Sequence, residues 1–443
     1  MKNNKLYHPN LKNTLPTTID AILYIFCICF LLILSGCDTS GVCNKDCINA
    51  NLQCNCCPVI DSIVNAKPAI SEVNIFLETS GSMSGYMPSN STTTSFQKII
   101  PNIATRLKVL NIHFYSIKES SQKPQLLNLD DAISKISYGR FEWGLNTSIP
   151  IMLDTINNYE DSGKVAILIS DMIYSPEEQK LVGQSVTLIS DQIKNTNLST
   201  SLLLLNSDFL GKNVKVSNSP YYILIQGKQE NIDVIKSRIF ASLKVFNQDY
   251  NEVNFGFSYS KPYYSVIPYA DIRGTFESIE CLGGKAAYLV LNNVDSHDSL
   301  GFWIGLNLEN FPKYSRDLEY LKTNLSLNPT GTKASIEKIV TREIFEKMQD
   351  DDPTDKSIAS FCTHFIRINV SELNDKISQL NLSLKSVKPN WITDNNYDED
   401  KNADIIRDKT FGLTNIYTAI NDAYQGQQAG LFFKDIKIIL QKK

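Results

Sequence analysis

Histidine is nearly missing from this chain of 443 residues. The four present (His8, His113, His297 and His364) are too scattered to suggest a zinc centre or a His-based catalytic centre. Basic runs are missing as well. Lys and Arg total 43 against 47 Asp and Glu, a net charge of −4, and no stretch offers the positive stripe that nucleic acid needs. No nucleic-acid partner is therefore expected. The chain has no G-x-S-x-G elbow, no H-E-x-x-H and no P-loop, and Ser80 and Ser82 have no His close by in sequence. A non-enzymatic protein is expected. Cysteine is scarce wherever the main body lies: of ten, only Cys281 and Cys362 fall beyond residue 57. No disulfide framework holds the body. Those two either pair or sit as buried free thiols.

What is present begins with an address. Lys2, Lys5 and Lys12 precede an unbroken apolar run of 14 residues, Ala21 to Leu34. A permanent span of roughly 30 Å needs about 20 apolar residues, so the run suits the core of an export signal. An uncleaved membrane anchor is the alternative. Directly after it stand Leu34-Ser35-Gly36-Cys37. This motif resembles the lipobox of bacterial lipoproteins, which implies cleavage after residue 36 and lipidation (a palmitate-type acyl anchor) on Cys37. The implied location is the cell envelope, tethered to a membrane and facing outside the cytoplasm. Inner and outer membrane both remain open. Residues 37–68 read as a tether without amphipathic periodicity, spanning about 30 Å as a flexible coil. It carries Cys43, Cys47, Cys54, Cys56 and Cys57, which miss the common C-x2-C zinc spacing. Disulfides, a metal site and no specific role all stay open for them.

From residue 69 apolar strands alternate with amphipathic helices. Val73 to Leu77 reads as a strand, Thr93 to Val109 as a helix, and Asn111 to Ile117 as a strand. Ile149 to Tyr159 follows as a helix, Lys164 to Ser170 as a wholly apolar strand, Gln179 to Asn195 as a helix, and Ser201 to Leu205 as a buried strand. That alternation predicts an α/β doubly wound, Rossmann-like domain over residues 69–215, with a parallel sheet covered on both faces. Ligands of such sheets bind at the carboxyl ends of the strands. Oxygen-bearing residues collect there: Glu78, Ser80 and Ser82 after the first strand, Thr147 in a later loop, and Asp171 after the apolar strand.

Their order and spacing resemble the metal-ion-dependent adhesion site of the von Willebrand factor A family, over about residues 70 to 212. The resemblance implies Mg²⁺ or Mn²⁺ held by Glu78, Ser80, Ser82, Thr147 and Asp171, with a protein partner completing the shell. Hard cations favour such oxygen donors. The chain departs at the first position, where the family has Asp and this chain has Glu78. Either the longer arm still serves the cation, or the site is degenerate and the Ser-rich turn only caps a helix.

Residues 216–260 read as a linking strand and helix. Residues 261–443 are richer in short strands and predict a β-rich, Ig-like sandwich with accessory helices, including Leu413 to Tyr424, and a closing strand from Leu431. The acidic runs Asp350 to Asp352 and Asp398 to Asp400 lack a spaced calcium loop and read as solvated. The expected function is a lipid-anchored binding protein that engages a protein partner. The alternative is a structural adaptor of an envelope assembly or defence system whose metal site is degenerate.

Overall fold

The computed structural model describes residues 68–89, 92–119, 122–145, 147–158, 163–173, 182–194, 198–281, 285–291, 299–348, 352–398, 407–424 and 430–442. The export segment, Cys37 and the five tether cysteines lie outside the described residues. Among the described residues no helix is long and apolar enough to cross a membrane.

The chain is mixed α/β with several sheets. Its first unit starts with β1 (Glu72–Glu78), α1 (Ser95–Leu107), β2 (Ile112–Ile117), β3 (Gln125–Leu127), α2 (Leu129–Tyr138) and α3 (Ile149–Asn157). It continues with β4 (Lys164–Ser170), α4 (Val182–Lys194), β5 (Ser199–Leu210), β6 (Lys215–Gly227), α5 (Gln229–Val245) and β7 (Asn251–Phe255). These strands form one sheet in the order β3-β2-β1-β4-β6-β5-β7.

Alternation along β1 divides the core. Val73, Ile75 and Leu77 point to a face covered by α1, α2 and α5, while Phe76 points to a face covered by α3 and α4. Helix α1 forms where expected because Thr94 caps it: Gln97 N–H donates to Thr94 Oγ1, and Thr94 N–H donates back to Gln97 Oε1. Its apolar stripe, Phe96, Ile99, Ile100, Ile103 and Leu107, is fully buried.

Two features depart from the sequence reading. Strands β1, β2 and β4 are parallel, but β6 lies between β4 and β5 and runs antiparallel to both. Residues 211–214 are too short a connection for a crossover, so two long apolar runs close as a hairpin. The segment 216–260, read as a link, thus contributes β6 and β7 to this sheet and α5 to the cover of one face.

The second unit holds β8 (Tyr264–Ile267), β9 (Phe276–Cys281), β10 (Lys285–Leu291), β11 (Leu300–Leu306), α6 (Leu318–Asn324) and β12 (Leu325–Thr330). After these come β13 (Thr332–Thr341), α7 (Arg342–Glu346), α8 (Pro353–Ser360), β14 (His364–Leu373) and β15 (Ile377–Lys385). The chain ends with α9 (Asn390–Asp394), β16 (Asn396–Tyr397), β17 (Thr410–Phe411), α10 (Leu413–Tyr424) and β18 (Leu431–Lys442). A five-stranded sheet, β12-β15-β18-β10-β9, and a four-stranded one, β13-β14-β11-β8, share one core through residues such as Phe302, Ile368, Leu382 and Ile438. All pairings in these two sheets are antiparallel except β10 with β18.

The second departure is in the last stretch. Trp391, Ile392, Leu413, Ile416 and Ile420 bury against Phe76, Leu168 and Leu204 of the first sheet rather than in the sandwich. The apolar stripe of α10 finds its cover there beside α4, and β18 then returns to the sandwich. Cys362 is a free buried thiol, so it does not pair with Cys281. Burial pushes that thiol up to about 12. Asp352 caps α8 by accepting from Thr354 and Asp355 N–H, which gives this acidic residue a structural role.

Candidate functional site

The carboxyl ends of β1 and β4 lie side by side because the two strands pair in parallel register, Leu77 opposite Ile169. Glu78 is the last residue of β1, and Asp171 directly follows β4. After Glu78 the chain turns through a short 3₁₀ segment, Gly81–Gly85, which brings Ser80 and Ser82 back over the strand end. The loop carrying Thr147 is laid beside this turn. Gly144 N–H donates to Thr79 O at 3.0 Å, and a Cβ at 144 would lie 1.8 Å from Lys118 O. Only glycine permits that approach.

All five sequence-derived residues meet. Glu78 and Asp171 are each 2% exposed. Ser80 Oγ donates to Glu78 Oε1 at 2.7 Å, and Thr147 Oγ1 donates to the same oxygen. Ser80 and Ser82 hydroxyls lie 2.9 Å apart, and Ser82 reaches the Asp171 carboxylate. Asp171 Oδ1 accepts from Ile173 N–H at 3.3 Å.

Two further members were missed by sequence reasoning. Ser170 Oγ donates to Glu78 Oε2 and accepts from Met172 N–H at 2.8 Å. Met172 holds φ at +51°, a left-handed conformation that is strained for a bulky side chain and that the Ser170 contact helps fix. Arg407, just before β17, brings Nη1 to 3.5 Å from Asp171 Oδ2 and lies over the Phe209 ring at 4.8 Å. Phe209 in turn packs edge-on against Tyr86, whose hydroxyl bonds Ser219 and Pro220 O. No local signal marked Arg407, which follows an acidic stretch of sequence far along the chain. Ser170 was visible as a hydroxyl at the end of an otherwise apolar strand.

The electrostatics are tense. Burial raises Glu78 from its ordinary 4.5 to about 7, and the Asp171 charge adds to that rise. Asp171 is also raised by burial, against the pull of Arg407. Asp171 Oδ2, Arg407 Nε and Arg407 Nη1 have no hydrogen-bond partner among the described residues.

Among the described residues no three His, Cys, Asp or Glu side chains gather. The convergent set is two carboxylates and four hydroxyls. His113 lies elsewhere, paired with Glu72 at 3.3 Å at the start of β1, and His364 bonds Arg316 O at 2.8 Å in the second unit. Leu145, two residues before Thr147, stands 83% exposed beside the site. No known protein family, curated protein or solved structure matches the chain.

Proposed function

We propose that this chain is an envelope lipoprotein, tethered through Cys37, whose von Willebrand factor A-like unit binds a protein partner at the carboxyl edge of its sheet. The observation that carries this reading is the meeting of Glu78, Ser80, Ser82, Thr147 and Asp171, drawn from three separate stretches, in one buried crevice. Parallel β1, β2 and β4 with helices on both faces support the A-like assignment; the β5–β6 hairpin is its departure. Two facing sheets support an Ig-like assignment for the second unit, from which the parallel β10–β18 pair departs.

The donor set fits Mg²⁺ or Mn²⁺. Each Ser or Thr that donates its proton to Glu78 keeps lone pairs for a cation, and Asp171 Oδ2 has an unused acceptor. Glu78, Ser80, Ser82, Thr147 and Asp171 would hold the ion, which would supply positive charge between two carboxylates and an open position for a partner's oxygen. The rest is done by the chain itself: Ser170 orients Glu78, and exposed Leu145 offers apolar contact at the rim. The adaptor reading is favoured by one observation, that Arg407 already faces Asp171.

A photo-crosslinker placed at Leu145 in the native envelope tests the proposal. One discrete adduct formed in Mg²⁺ and lost in EDTA is expected. No adduct, or the same adduct in both conditions, contradicts metal-supported binding.

A further inference from the structure

We infer that Arg407 is a tethered counter-ion that occupies the charge role of the cation, so that its pairing with Asp171 and the binding of a divalent ion exclude one another. This deepens the metal reading above and rests on it. The side chain of Arg407 is 10% exposed and that of Asp171 is 3% exposed, so neither charge is balanced by bulk water. They stand 3.5 Å apart without hydrogen-bond geometry, which leaves the guanidinium Nε and Nη1 and the carboxylate Oδ2 unsatisfied among the described residues. A guanidinium committed to a structural ion pair normally uses its flat fork on both carboxylate oxygens. This one instead lies over Phe209 and offers one edge. The placement is that of a charge that can withdraw.

The segment holding Arg407 comes from the far side of the sandwich in sequence. It is pinned by β17, where Thr410 Oγ1 meets Tyr222 OH at 2.9 Å, and by α10 on the first sheet. Departure of Arg407 from Asp171 would therefore be felt at β17 and α10. Loading of the crevice is thus coupled to a segment that is continuous with the second unit.

The test has two arms on the mature chain. In the first, MgCl₂ is titrated against the wild type and Arg407→Gln, with the melting temperature as readout. The apparent Kd should fall at least tenfold in the variant. Arg407→Lys, which keeps the charge without the fork, should fall between them, and it serves if the Gln variant does not fold. In the second arm, run in EDTA, Arg407→Gln should lower the melting temperature and Arg407→Gln/Asp171→Asn should recover most of that loss. Equal Kd values with saturable binding overturn the exclusion while leaving the metal reading intact. Additive losses in EDTA overturn the counter-ion role. Coupled losses with no Mg²⁺ response in any of the proteins remove the metal reading and keep Arg407 as the resident charge.

Discussion

Among the described residues two buried acid–base pairs lie against the first sheet, and they are built differently. Lys236 on α5 sits 2.8 Å from Glu252 on β7, within 3.2 Å of Asn254 Oδ1, and near the faces of Phe257 and Phe240. Glu252 also accepts from Lys313 N–H, which ties β7 to the second unit. Arg407 and Asp171 are as deeply placed, but at 3.5 Å, with guanidinium Nε and Nη1 unbonded among the described residues and a second carboxylate beside them; a carboxylate oxygen without a hydrogen bond, Glu252 Oε2 or Asp171 Oδ2, is common to both pairs. A close, many-sided pair belongs to the frame. An open pair next to like charge is kept in spite of its cost, which is how binding sites differ from cores.

The largest expected effect breaks the first pair. Lys236→Met leaves Glu252 buried without its partner and should cost about 3–5 kcal/mol in urea denaturation. Arg407→Gln should cost clearly less. Equal losses would mean that the two pairs are the same kind of object, and the contrast would fail.

Next in size is Glu78. An acid raised from 4.5 to about 7 binds its proton more tightly in the folded chain than in the unfolded one. Its contribution is full below 4.5, is lost as pH rises to about 7, and stays lost above. The span corresponds to about 3 kcal/mol. In EDTA the wild type should therefore weaken from pH 5 to pH 8, and Glu78→Gln should flatten that slope and be the more stable at pH 8. A Glu78→Gln curve parallel to the wild type would show a carboxylate relieved by some other means.

How much of this the sequence revealed depended on how local the signal was. The strand ends and the Ser-rich turn are written in consecutive residues, so Glu78, Ser80, Ser82, Thr147 and Asp171 were legible. Arg407 was not, because its place depends on α10 finding the first sheet, a tertiary choice with no local mark. The expectations above include neither β3 nor α2, although local signals mark α2. Asn128 caps α2, Asp130 and Asp131 fill its first turn, and Gly139 closes it at φ +62°. The β5–β6 hairpin is not legible in the same way, because a continuous apolar run marks a buried strand without giving its direction.

A smaller effect is expected at Gly144. Gly144→Ala forces the Thr147 loop away from Lys118 O and should cost about 1–3 kcal/mol, with weaker Mg²⁺ response. Wild-type affinity in that variant would show that Thr147 is not placed by the loop's close approach. Smallest on stability is Leu145→Asp, within about 0.5 kcal/mol for an exposed position, yet it should reduce partner crosslinking strongly when the probe is moved to Ser84.

The proposed function requires five oxygen-bearing residues at the edge of the first sheet to hold a divalent cation. It is tested most directly by melting the wild type and Asp171→Ala across a titration of MgCl₂ and MnCl₂. Saturable stabilisation is predicted for the wild type, about 2.7 kcal/mol at a hundredfold excess over Kd, with none in a folded Asp171→Ala. A flat wild-type titration in both ions, or an equal response in the variant, would contradict it.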